Sequence, residues 1–217
     1  MSSKSMLESL LFHFAKNFHE PMTHRFMAET VTKMDRPVVI DAGAWLGDTA
    51  IQLAEANPEC TVFAVEPSKK NCDFIRRRAV ENVRLINKCL TSDSRQKCAT
   101  DSPSEIFNNK TYKFGTEGTT NSITIDEIFA SSGRGVQLVH LDVEGHEYEC
   151  LQGARMCLEN GETVFVVEIL HANEDKDHIL TLFSNYGYEH FVIPENVGWI
   201  GNKGYNYVFR PSGNFGY

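Results

Sequence analysis

Four short apolar runs, each closing on an acidic residue, constrain this chain more than any other feature. They are Pro37-Val-Val-Ile-Asp41, Thr61-Val-Phe-Ala-Val65 with Glu66, Gln137-Leu-Val-His-Leu-Asp142 and Val164-Phe-Val-Val-Glu168. Each is too short for a core helix and rich in β-branched residues, so each reads as a buried strand. Helical patterns lie between them. One carries Leu46, Ile51, Leu53 and Ala54 and stops near Asn57-Pro58. The next, capped by Ser68, runs through Phe74 and Ile75 to about Asn82 and is followed by a further strand, Val83-Arg-Leu-Ile86. Near-continuous apolar strands alternating with helices predict an α/β fold, a parallel sheet covered on both faces.

The rest of the chain fits around that frame. Residues 6 to 34 read as one or two amphipathic helices, and the polar stretch 91–122 as a loop or a small strand excursion. Thr124-x-x-Glu127 is a capping box. Helices are expected from His146 to Leu158 and from Lys176 to Asn185. Glu189–Ile193 and Tyr205–Phe209 could close the sheet as a hairpin. The 217 residues and 24.5 kDa suit a single domain over 1–217. A formal charge of −8 argues against nucleic acid as a partner, because phosphate neutralisation needs a basic face. No run approaches the length of a membrane span, no secretory leader is evident, and a cytoplasmic protein is expected. The six cysteines form no C-x-x-C pair and are expected as buried or half-buried free thiols.

The chemistry concentrates where the first strand turns into the first helix of this alternation: Asp41-Ala-Gly43-Ala44-Trp45-Leu46-Gly47-Asp48-Thr49. Gly43 and Gly47 allow a tight turn and bring a ligand close to the helix N-terminus. Glu66, at the end of the second strand, stands where dinucleotide folds place a ribose-binding acid, so the ligand is expected to contain a nucleoside. The spacing is G-x-x-x-G rather than G-x-G-x-x-G, Trp45 fills a position a phosphate would want small, and Asp41 would repel a pyrophosphate. Those facts favour a phosphate-free, zwitterionic nucleoside, S-adenosylmethionine (SAM), over NAD(P).

Val39 to Thr49, Val65-Glu-Pro-Ser68 with Asn71, Ser122 to Glu127, the block Leu141-Asp-Val-Glu-Gly-His-Glu-Tyr-Glu-Cys-Leu-Gln-Gly153 and Glu168-Ile-Leu-His171 together resemble the FkbM-type SAM-dependent methyltransferases. The resemblance spans about residues 37 to 171, and Trp45 departs from it where a polar residue is usual. It implies a class I, Rossmann-like methyltransferase fold: a seven-stranded, mostly parallel sheet with an antiparallel last strand and helices on both faces. It also implies O-methylation of a sugar, glycan or similar hydroxylated small molecule.

By position, Asp41, Gly43, Ala44 and Gly47 would line the methionine half of the cofactor, and Asp48 and Thr49 its carboxylate side. Glu66 would take the ribose hydroxyls with Asn71 bracing the loop, and the turn at Leu90 would meet adenine. Asp142, Glu144, His146 and His171 are the candidate catalytic residues, with His146 or His171 as the general base. Asp142 and Glu168 end neighbouring strands and could instead share a divalent cation, Mg or Mn, that activates the hydroxyl. His140 is expected to be packed and hydrogen-bonded. Two other readings stand beside this one: an NAD(P)-dependent oxidoreductase, and a module that binds SAM without catalysis.

Overall fold

The computed structural model describes residues 20–99, 113–115, 118–170, 173–193 and 204–213. The alternation read from the sequence becomes helix α1 (Pro21–Thr32), strand β1 (Val38–Ala42), α2 (Asp48–Ala56), β2 (Thr61–Val65), α3 (Lys69–Arg78) and β3 (Val83–Ile86). After a break come α4 (Ile125–Ser132), β8 (Leu138–Leu141), α5 (Glu147–Gln152), α6 (Arg155–Asn160), β9 (Val164–Leu170), α7 (Lys176–Asn185), β10 (Tyr188–Ile193) and β11 (Gly204–Pro211). The main sheet has seven strands in the order β10-β11-β9-β8-β1-β2-β3. Strands β1, β2, β3, β8 and β9 pair in parallel, while β11 runs antiparallel between β9 and β10.

Alternation along the strands divides the core into two layers. Val38, Ile40 and Ala42 point to the face that carries Phe165, Phe183 and Phe209, under α4 to α7. Val39, Leu138, Val164, Val166 and Val208 point to the opposite face, under Met27 and Val31 of α1 and Leu53 of α2. Asn57, the predicted stop of α2, donates from Nδ2 to the carbonyls of Val31 and Met34. That bond pins the C-terminal end of α1 onto the second face.

The break holds a second, four-stranded sheet in the order β4-β7-β5-β6, built from β4 (Cys89–Leu90), β5 (Lys97–Ala99), β6 (Lys113–Gly115) and β7 (Thr120–Ile123). The strand excursion allowed for 91–122 is therefore present in its described part. Three local expectations are corrected. The helix after β2 ends at Arg78, where the extended backbone of Ala79 stops it, and does not reach Asn82. The helix expected over 146–158 is two short helices broken at Gly153. A Cβ at Gly153 would lie 2.7 Å from the Thr91 carbonyl oxygen, so the chain turns there to let the 91 loop pass. Cys89 and Cys98 form a disulfide between β4 and β5, while Cys60, Cys72, Cys150 and Cys157 are free and buried. The capping box at Thr124 is formed in both directions.

Candidate functional site

Every acid that closed an apolar run lies at the carboxyl edge of the sheet, the edge at which open α/β sheets bind ligands. Asp41, His140, Glu168 and Asn206 share the face that lies under α1, by alternation from Val39, Leu138, Val166 and Val208. The Asp142 amide donates to the Ala42 carbonyl and extends the β1–β8 ladder by one residue, so Asp142 joins that face. The result is one polar row crossing four adjacent strands.

The turn after β1 is fixed from three sides. Gly43 has φ 79, and a Cβ there would meet the Asp142 carbonyl oxygen at 1.7 Å, so only glycine lets the two loops touch. Gly47 caps α2 with φ 84, with Ile75 of α3 packed against it. Trp45, at φ 46 and 40% exposed, is the strained member of the turn. Its backbone N–H donates to Glu66 Oε2 at 2.9 Å.

Glu66 is buried and braces this turn. Its Oε1 accepts from the Ser68 amide at 2.8 Å and from Asn71 Nδ2 at 3.3 Å, which leaves Oε2 with one lone pair beyond the Trp45 bond. Burial pushes its carboxyl up to about 7, against the pull of those donors. Asp48 pairs with Arg78 at 2.6 Å, and Arg78 also donates to the Leu46 carbonyl, so the end of α3 holds the start of α2. Thr49 Oγ1 lies 3.2 Å from His24 Nε2, a contact that brings α1 to the same turn. Ala44 and Leu90 are buried apolar positions, Leu90 beside the disulfide strand.

The row's interior is unusually polar for a buried layer. His140 Nδ1 and Asp41 Oδ1 are 2.7 Å apart, while His140 Nε2 and Asp41 Oδ2 are buried without partners. Burial pulls the His140 imidazole down, but the hydrogen bond and charge of Asp41, with Asp142 and Glu20, carry it above its ordinary value. Glu168 is pushed up to about 10, first by burial, then by the charge of Asp142 and a hydrogen bond with it. Glu144, at φ 55, is pushed up to about 7 by burial and by Asp142, Glu147 and Glu20. His146 Nε2 lies 3.3 Å from Thr91 Oγ1, and burial lowers its pKa. His171 lies outside the described residues.

The structure adds residues that the motifs did not mark. Glu147 folds back onto its own loop, accepting from the Gly145 amide at 2.9 Å and from Asn173 Nδ2 at 3.0 Å. Glu20, buried just before α1, brings a fourth carboxylate to the row. Asn206 is wholly buried with neither amide atom partnered. A polar residue alternating with apolar ones in a strand that reads as core was the available sign for Asn206. Among the described residues, no group of three or more His, Cys, Asp or Glu side chains is placed to hold a metal.

This strand order, with one antiparallel strand inserted beside the edge, is that of the class I Rossmann-like methyltransferases. The chain matches the Methyltransferase FkbM domain over residues 41–190 and belongs to that family. It is 32% identical over 153 residues to the hexuronic acid methyltransferase AglP of Haloferax volcanii, covering 68% of this chain and 61% of that protein. The chain thus spans less than two thirds of that relative's length. Among solved structures it is similar to an FkbM methyltransferase from Methylobacillus flagellatus KT, at 14% identity and a TM-score of 0.58, over 79% of this chain and 43% of that one. The SAM-bound magnesium protoporphyrin IX methyltransferase ChlM of Synechocystis matches at 13% identity and a TM-score of 0.53, over 88% and 79% of the two chains. These structural likenesses show the fold.

Proposed function

We propose that the protein is a SAM-dependent O-methyltransferase acting on a hydroxyl of a sugar or glycan. The observation that supports this reading is the close approach of Gly43 to the Asp142 carbonyl, which brings the turn after β1 against the 142–146 loop. The hexuronic acid methyltransferase relative supports a sugar as acceptor.

The residues present fit the cofactor. Asp41 Oδ2 is a buried acceptor without a partner, suited to an ammonium group, and Glu66 Oε2 retains one acceptor position for a ribose hydroxyl. Bound there, S-adenosylmethionine supplies a methyl group whose transfer to the acceptor oxygen breaks the S–CH3 bond, forms the O–CH3 bond and leaves S-adenosylhomocysteine. The protein's part is to position the acceptor and remove its proton. Asp142 and His146 are the two side chains of the 142–146 loop suited to hold that proton. Burial lowers the pKa of His146, which favours the neutral imidazole that a base requires. The same turn would also serve a module that binds the cofactor without turnover, and Asp142→Asn separates the two.

Calorimetric titration with S-adenosylhomocysteine, followed by labelled methyl transfer to free hexuronic acids and their glycosides, tests the proposal. Cofactor binding with label incorporated into the sugar supports it. Absence of cofactor binding overturns it and returns attention to nicotinamide cofactors.

A further inference from the structure

The formal charge of −8 hides a reversal of sign along the chain. Residues 69–97 hold nine of the 21 lysines and arginines but three of the 29 acids. The stretch folds as α3, β3, β4 and the start of β5, so its charge collects at the β3 edge of the main sheet. Ile75 and Val83 share one apolar layer, which seats α3 against that edge strand.

Little of this charge is neutralised within the protein. Asp73 is taken by Arg76 and Asp93 by Arg95, while Arg78 is held by Asp48. Among the described residues, no ion pair engages Lys69, Lys70, Arg77, Arg84, Lys88 or Lys97, and all of these but Lys88 are exposed. Charge on an edge strand guards against pairing with another sheet. That reason covers Arg84 but not α3, which has no open edge. An array of one sign on an otherwise acidic protein concentrates anions at that surface and steers them to it.

Position and composition narrow the anion. The strip starts at the Glu66 loop: Lys69 and Lys70 follow Ser68, whose amide donates to Glu66 Oε1 at 2.8 Å. Asn87 donates to the carbonyls of Glu66 and Pro67 at 3.0 and 2.9 Å, which brings its neighbour Lys88 to the same loop. Single-stranded nucleic acid takes exposed rings on which its bases stack. Phe74, the one aromatic residue of the stretch, is half-buried, with the Arg77 and Arg78 guanidinium groups 5.9 and 5.3 Å from its ring centre. A run of sugar carboxylates asks for separated cations along a path and no stacking platform.

We propose that the α3–β3 edge binds an acidic glycan, a chain bearing sugar carboxylates, one hydroxyl of which the neighbouring site methylates. This deepens the sugar methyltransferase reading and rests on it for the choice of a glycan over other polyanions.

The test titrates the full chain with a fluorescently tagged galacturonic acid oligomer, a neutral dextran oligomer, and single- and double-stranded oligonucleotides. S-adenosylhomocysteine affinity is measured on the same preparation. The galacturonic acid oligomer is expected to bind, with affinity falling at least about tenfold between about 50 and 200 mM salt, and dextran is expected not to bind. Combined Lys69→Glu, Lys70→Glu and Arg77→Glu should weaken the oligomer at least about tenfold and leave S-adenosylhomocysteine affinity unchanged. Lys33→Glu, Arg36→Glu and Arg134→Glu make the same change of charge on another surface patch and should weaken it clearly less. If the first triple variant fails to fold, the corresponding glutamine variant decides. Absence of oligomer binding, or equal loss in the two triple variants, overturns the proposal. Tighter binding of either oligonucleotide at the same salt overturns it in favour of nucleic acid. Oligomer binding at the strip without S-adenosylhomocysteine binding counts against the methyltransferase reading instead.

Discussion

His140 Nδ1 faces Asp41 Oδ1 at 2.7 Å across the β1–β8 ladder, and both side chains are buried. The pair links the strand that feeds the turn at 43–47 to the strand that delivers Asp142. Removing one partner strands the other in a place that water does not reach. Asp41→Ala and His140→Phe are each expected to cost about 3–5 kcal/mol of stability. In urea unfolding, the double variant should fall short of the sum by about 1–3 kcal/mol. Additive losses would show that the contact is incidental.

Gly43 and Gly133 form a matched pair of probes, since both have positive φ but only Gly43 is crowded. Gly133→Ala places its Cβ in open space and should cost only the left-handed penalty of about 1–2 kcal/mol. Gly43→Ala drives a Cβ into the Asp142 carbonyl and must separate the two loops. It should lose clearly more stability and also weaken S-adenosylhomocysteine binding, which Gly133→Ala should not. Calorimetry and thermal unfolding on both variants check this, and equal losses would remove the reason for glycine at 43.

How far the sequence reveals this molecule depends on whether a signal is local. Strand β1, the stop of α2 at Asn57, the Ser68 cap and the whole of α7 follow from periodicity and capping, which act within a turn or two. The break at Gly153 does not, because its cause is the Thr91 carbonyl, 62 residues earlier in the chain. The disulfide joins two cysteines in a polar stretch that carries no hydrophobic period. At the site, the acids are legible because each closes an apolar run, although β1 runs on to Ala42 and β9 to Leu170. Glu20 and Asn206 reach the same row from opposite ends of the chain, by register and helix packing that no spacing encodes.

The capping box offers a direct measure of one local signal. Thr124 Oγ1 accepts from the Glu127 amide at 3.1 Å, and Glu127 Oε2 accepts from the Thr124 amide at 2.9 Å. Thr124→Ala should lower stability by about 1 kcal/mol in denaturant titration. Cofactor affinity should not change, because the two bonds of the box join Thr124 and Glu127 only to each other. A change in affinity without loss of stability would place α4 in the site.

Glu66 should make stability depend on pH in a window set by its own carboxyl. Burial holds the proton up to about 7 in the folded protein, against an ordinary value of 4.5. The folded state therefore binds this proton more tightly than the unfolded state, and stability falls as pH rises. The contribution is fully present below about 4.5, declines between there and about 7, and totals about 3 kcal/mol when fully lost. Glu66→Gln removes this titration, so its stability should lack the decline seen for wild type over the same interval. It brings a cost of its own: Gln has one acceptor oxygen for the Trp45 and Ser68 amides, which now use both oxygens of Glu66. The variant should be less stable than wild type at pH 5, and the gap should narrow toward pH 8. Urea unfolding at intervals of half a pH unit checks the slope, and parallel curves for the two proteins would show that Glu66 is ionised throughout.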